Sequence, residues 1–198
     1  QESRTAMLSI DPYLLLVLRT IWFQASNGGL SYVRREGLSV QFAVEVLILS
    51  VLLVGGSWIA GTPLNPFLFL IILYLVTMRS RLAVDLANLF VKRERVDLAL
   101  RLYHLALAWW PDEASRLIVL VNKGAAQLYS SRIAEAISTL ENVLETAKRS
   151  RLGLRYEAAC RYNLAYAYEL DGQDARSVAQ YNETIDVLPG SLYAQAAQ

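Results

Sequence analysis

From Gly37 to Met78 the chain carries a single charged residue, Glu45, and is otherwise almost continuously apolar. A stretch of 42 such residues is hard to cover with a small partner domain, because large contiguous apolar surface is not left in water. Residues 40–60, VQFAVEVLILSVLLVGGSWIA, reach the roughly 20 residues that a helix needs to cross a bilayer. GTPLNP follows as an uncharged turn, and residues 67–78, FLFLIILYLVTM, resume the apolar run. That second run is short alone. Adding Pro63–Pro66 before it and Leu82–Val84 after it gives a second span, with Arg79 and Arg81 snorkelling from its end. The pattern predicts a transmembrane helical hairpin over residues 37–79, with Gly55, Gly56 and Ser57 permitting close helix approach. A re-entrant hairpin and a buried helix pair in a soluble protein are the alternatives.

Arg34, Arg35, Arg79 and Arg81 flank one end of this hairpin, while the turn has no cation. The excess of cations on cytoplasmic flanks then puts the amino-terminal segment and everything after the hairpin on the cytoplasmic side. Residues 1–36 read as an interfacial segment. A helix is expected over 12–24, capped by Ser9 or Asp11 with Pro12 in its first turn, and ended by Asn27-Gly28-Gly29. It is too short to span, so it lies at the membrane interface or packs as an ordinary core helix. No signal-peptide cleavage pattern is expected, since the first apolar run starts only after Asp11. The side chains expected to meet the membrane are Trp22, Trp58, Phe67, Phe69, Arg79 and Arg81.

Chemistry is sparse. One cysteine, Cys160, and one histidine, His104, are too few for a zinc or iron site; Cys160 sits in an apolar helical run and reads as buried and inert. Gly28-Gly29 and Gly55-Gly56 lack what a phosphate loop needs after them, and no nucleophile elbow is present. Glu141 and Glu145 share a helix face without a converging partner. A formal net charge of +1 argues against a strong steering field. Lys148, Arg149, Arg151 and Arg155 form the one basic cluster, with no aromatic interleaving of the kind that binds nucleic acid. No cofactor, no metal, no nucleic acid and no catalytic activity are expected.

From Ser80 onward the apolar period is helical. Helices are expected near 80–92, 95–109, 113–129, 133–148, 153–170 and 174–187, with a short one from 191. A register of small and bulky residues recurs through them. Leu86, Ala87, Phe90, Ala99, Tyr103, Ala106 and Pro111 form the first copy. Gly124, Ala136, Leu140 and Val143 form the second, and Leu164, Ala165, Tyr168, Tyr181 and Pro189 the third. Ala87 to Ala99 and Gly124 to Ala136 are both twelve apart, and Ala165 finds Ser177 at the same interval.

This pattern resembles the tetratricopeptide (TPR) repeat, a helix–turn–helix unit of about 34 residues, across some 110 residues of the chain. The resemblance implies a TPR-like α-solenoid of about three helix pairs over 80–198, so that with the transmembrane hairpin before it the expected fold is all-α. Successive small positions are 37 and 41 residues apart, so extra chain is expected around Lys148–Arg155. Arg161 stands where an aromatic is common.

The resemblance also implies a partner-binding groove along the first helix of each pair. Carried onto this chain, it comprises Asn88, Val121, Asn122, Ala125, Leu128, Tyr129, Tyr162, Tyr166, Glu169 and Leu170. Tyrosine-rich grooves suit a helix or an extended peptide. A clamp for a terminal carboxylate is not implied: Asn88 and Asn122 fit, but Val84, Ala159 and Asn163 occupy the places of the cations. The implied role is non-catalytic, docking subunits of a membrane complex, photosynthetic or respiratory, at a bacterial inner or thylakoid-type membrane. The alternative is a permanent accessory subunit, with lipid or pigment beside Trp58, Phe67 and Phe69.

Overall fold

The computed structural model describes residues 11–33, 39–148 and 153–198. Asp11 opens the first helix, α1 (Pro12–Val33), its carboxylate accepting from the backbone N–H groups of Tyr13 at 2.8 Å and Leu14 at 3.2 Å. The helix does not stop at Asn27-Gly28-Gly29 as expected; it runs on to Val33. Two glycines cost about 1 kcal/mol each in a helix interior, and the helix forms in spite of them. Asn27 does not cap here. Its amide donates back to the Phe23 carbonyl at 2.8 Å, within the helix.

Helix α2 (Val40–Ile59) and α3 (Pro66–Thr77) follow. Ser57 ties the turn between them: its hydroxyl donates to the Thr62 carbonyl at 2.7 Å and accepts from Leu64 N–H at 2.9 Å. Asn65 starts α3 by accepting from Phe67 N–H at 2.9 Å. Helix α1 lies antiparallel to α2. The Thr20 and Ser50 hydroxyls are 3.1 Å apart, and further along α1 the Gln24 amide donates to the earlier Ala43 carbonyl at 3.3 Å. The Asp11 end of α1 therefore lies toward the α2–α3 turn. Leu16, Phe23, Val46, Phe69 and Leu73 form the buried core of this three-helix unit.

The second arm of the expected hairpin is shorter than its sequence suggested. Helix α3 has 12 residues and ends before Met78. Leu82–Val84, expected to lengthen it, belong to the next helix, where Ala83 and Val84 are buried in the repeat core. Among the described residues Val40–Ile59 is the one helix long and apolar enough by itself to cross a membrane; α3 reaches that length only if joined to its successor across the break.

The remaining helices form the second unit: α4 (Arg79–Lys92), α5 (Val96–Ala108), α6 (Glu113–Tyr129), α7 (Ile133–Ala147), α8 (Leu154–Leu170), α9 (Asp174–Val187) and α10 (Leu192–Ala196). They pack as the consecutive pairs α4–α5, α6–α7 and α8–α9. Each pair stacks on the next through α5–α6 and α7–α8, and the first helices also touch in series, α4 on α6 and α6 on α8. Where each pair crosses, the small residues Ala87 and Ala99, Gly124 and Ala136, and Ala165 and Ser177 are all buried. Helix α10 closes the end of the stack, against both α8 and α9.

The turn inside each pair repeats the same backbone geometry. Glu94, Ser131 and Gly172 adopt left-handed conformations, with φ of 61°, 58° and 75°. Each lies seven residues after its small residue, Ala87, Gly124 or Ala165. The following amide reaches back to close the helix end: Arg95 to the Phe90 carbonyl at 2.9 Å, Arg132 to Gln127 at 2.9 Å, and Gln173 to Tyr168 at 2.8 Å. This six-to-one bond satisfies a carbonyl that the helix itself leaves orphaned. The recurrence is independent of the side-chain pattern and marks three equivalent units.

Candidate protein-interaction face

The first helices of the pairs, α4, α6 and α8, form one continuous row, and their uncovered strips define the candidate face. On α6 the strip is Asn122, Ala125 and Tyr129, spaced by three and four so that they share a side. Tyr129 is 75 % exposed. On α8 Tyr166, 43 % exposed, stands at the position of Ala125, and the exposed Glu169 and Leu170 follow, Leu170 at the position of Tyr129. On α4 Asn88 is half-buried and accepts from the Tyr103 hydroxyl at 2.5 Å. That bond fixes the Asn88 amide and satisfies the phenol of a buried ring; burial raises the Tyr103 pKa above the ordinary phenol range. Asn122 donates to the Ile118 carbonyl at 2.8 Å, inside its own helix.

Three residues assigned to the groove lie elsewhere. Val121 and Leu128 are buried, Val121 in a core with Leu117, Leu140 and Leu164. Because α6 is the middle helix, neighbours on three sides cover it, and its repeat register alone does not reveal how narrow the open strip becomes. Tyr162 is half-buried between two other tyrosines, its ring centroid 5.8 Å from Tyr181 and 5.8 Å from Tyr193 of α10. The closing helix thus covers that end of the face.

Arg161, the departure from the usual aromatic, bonds Glu157 on its own helix at 2.9 Å and reaches Gln180 and Glu183 on α9. An ion cluster replaces ring packing between the two helices. A parallel device appears at Tyr168, whose hydroxyl donates to Glu141 of α7 at 2.5 Å. Burial, and then this bond, push the Tyr168 phenol up to about 12. The basic cluster near the α7–α8 connection is described only at Lys148, paired with Glu145 at 2.7 Å, and at the exposed Arg155; Arg149 and Arg151 lie outside the described residues, as do Arg34 and Arg35.

In the α1–α3 unit Trp22, Trp58 and Phe67 are largely exposed, at 63, 71 and 71 %. Phe69, expected on the same surface, is fully buried in the core instead. Its neighbours on α3 face outward because a 12-residue helix turns only one strip toward α1 and α2. Val44, Leu47, Ile48, Val51 and Leu52 are exposed around α2. An open apolar crevice of about 330 Å3 lies between α1 and α3, lined by Trp22, Phe23, Phe67, Leu70, Ile71 and Tyr74 among others. Arg79 donates to the carbonyls of Trp109 at 3.0 Å and Trp110 at 3.2 Å, and Arg81 to the Ser115 hydroxyl at 3.3 Å. Both arginines are thereby tied into the repeat unit. Among the described residues no three of His, Cys, Asp and Glu gather where a metal ion could be held.

Stacked helix pairs with small residues at each crossing, and left-handed turns in register, are the architecture of a TPR-like helical repeat. Among solved structures the chain is similar to the TPR-containing N-terminal domain of stress-induced protein-1 (STI-1) from C. elegans. The TM-score is 0.51 at 16 % sequence identity, and the match covers 62 % of this chain and 94 % of that one. No family model and no curated protein matches the chain.

Proposed function

We propose that this chain is a membrane-anchored, non-catalytic protein-docking module whose repeat face holds subunits of a membrane complex during assembly or stabilisation. One observation carries the membrane half of this reading. Helix α2 has 20 residues and a mean hydropathy of 2.2, yet only 11 % of its most apolar window is buried. A core helix of a soluble protein would be covered by its own chain, whereas bare apolar faces on a helix of spanning length fit a hydrocarbon solvent. The docking half rests on the TPR-like fold and on the exposed aromatic strip of Tyr129 and Tyr166.

The arginines flanking the apolar segments favour the cytoplasmic side for the repeat unit. The antiparallel course of α1 argues for a different location for Asp11 than those arginines alone did. With α1 running antiparallel alongside a spanning α2, Asp11 belongs at the α2–α3 turn end of that span.

The test is capture through a carboxyl-terminal tag after gentle solubilisation, with quantified stoichiometry. A recurring set of transmembrane proteins, lost when Tyr129 and Tyr166 are both changed to Ala, is the supporting result. A fixed ratio that survives salt would favour the accessory-subunit reading. Release of the chain from membranes by alkaline carbonate, or capture of no membrane protein, would sink the proposal.

A further inference from the structure

We propose that the crevice between α1 and α3 holds one acyl chain of an anionic phospholipid, with the lipid phosphate paired to Arg19. This rests on the membrane reading above.

Arg19 is the sole Lys or Arg among the described residues of α1–α3. It precedes Thr20, which meets Ser50 midway along α2, so its backbone lies well inside the apolar unit rather than at an edge. A lone guanidinium at such a level is costly in hydrocarbon and is relieved by snorkelling and by a counter-ion. Among the described residues no carboxylate pairs with it. Its guanidinium lies 5.4 Å from the centroid of the Phe67 ring. Phe67 is the second residue of α3, hard against the α2–α3 turn. Helical side chains lean toward the helix amino terminus, and for α1 that is the same turn end. Arg19 thus points its charge outward along the unit, and Phe67 also lines the crevice.

From Phe67 the crevice runs along α3 past Leu70 and Ile71 to Tyr74, toward the middle of the unit. Its walls are almost wholly apolar. A cation at the outer end and an apolar slot leading inward are complementary to an amphiphile with an anionic head. A guanidinium also matches phosphate geometry through two parallel hydrogen bonds, which favours a phosphate head over a zwitterionic one whose own cation competes.

The test uses the full chain incorporated into vesicles of phosphatidylcholine mixed in equal parts with phosphatidylglycerol. The protein is then extracted in mild detergent and its retained lipids are weighed by native mass spectrometry. We expect one phosphatidylglycerol retained in preference to phosphatidylcholine. Arg19→Gln should reduce that preference about tenfold, the scale of losing a charged hydrogen-bonded contact. Ile71→Trp, which fills the slot and leaves Arg19 in place, should abolish retention of both lipids. Equal retention of the two lipids by the wild-type chain, no retained lipid, or an unchanged preference in Arg19→Gln would each overturn the inference while leaving the membrane reading intact. A protein copurifying in the slot, displaced by Ile71→Trp with no lipid bound, would overturn it as well. Carbonate release of the wild-type chain from the vesicles is the separate outcome that removes the membrane reading itself.

Discussion

Leu140 occupies the space that a β-carbon on residue 124 would need. A Cβ built on Gly124 would lie 2.6 Å from Leu140 Cδ2 and 2.7 Å from its Cγ. Leu140 is fully buried, and its Cγ cannot swing aside as a flexible tip would. Gly124→Ala should therefore destabilise the repeat unit by about 1–3 kcal/mol, as overpacking does. In a Leu140→Ala background the same change should be neutral or favourable by up to about 1 kcal/mol, since alanine is the better helix former. Thermal melts of the four members of this cycle would read the coupling directly, and additive effects would show that Leu140 moves freely.

The left-handed turns make a prediction of opposite sign. Glu94 and Ser131 hold a conformation that costs a residue with a β-carbon roughly 1–2 kcal/mol; Gly172 holds it without strain. Glu94→Gly and Ser131→Gly should each stabilise the protein by about 0.5–1 kcal/mol after the added chain entropy of glycine is subtracted. Gly172→Ala should cost about 1–2 kcal/mol. Denaturant midpoints of the three variants would show whether the three turns are energetically equivalent.

The tyrosines should separate into two behaviours. Tyr162 makes two ring contacts, so Tyr162→Ala should cost about 1–3 kcal/mol beyond simple exposure. Tyr129→Ala and Tyr166→Ala alter open side chains and should change stability by no more than about 0.5 kcal/mol, while reducing the yield of captured partner. A normal yield from both open-face variants would remove the strip from the docking site.

Alkali should weaken the fold before it ionises the whole surface. The Cys160 thiol is fully buried, donates to the Leu140 carbonyl at 3.6 Å, and is pushed up to about 12, by burial first, with Arg161 opposing and Glu157 adding. Tyr168 is likewise pushed up to about 12. Both groups are neutral when protonated, and both hold their proton more tightly folded than unfolded. Their contribution is complete below the unfolded thiol value of 9.0 and disappears as pH rises toward about 12. Cys160→Ala should flatten the early part of that decline. Urea midpoints across the window would show it, and a native thiol that reacts quickly with a maleimide at neutral pH would contradict the burial.

The repeat unit was legible in the sequence because its information is local. Helical period, Pro111 and Pro189 beyond helix ends, and small residues twelve apart prescribe helices and the crossings where backbones must approach. The observed helices α4 to α9 begin and end within a residue or so of those expectations. The left-handed turns were legible in principle too, since Gly172 stands at one of them, but Glu94 and Ser131 hide the recurrence behind ordinary side chains.

Tertiary structure alone decided which faces are covered and how the apolar helices are arranged. Val121 and Phe69 lie on faces that their own helices would equally have left open, and neighbouring helices bury them. Tyr162 leaves the groove because α10 folds back onto α8 and α9. Helix α1 passes through Gly28 and Gly29 although each costs a helix interior about 1 kcal/mol. Periodicity determines what a segment can become on its own; burial depends on which other segments arrive beside it, and that is a property of the whole chain.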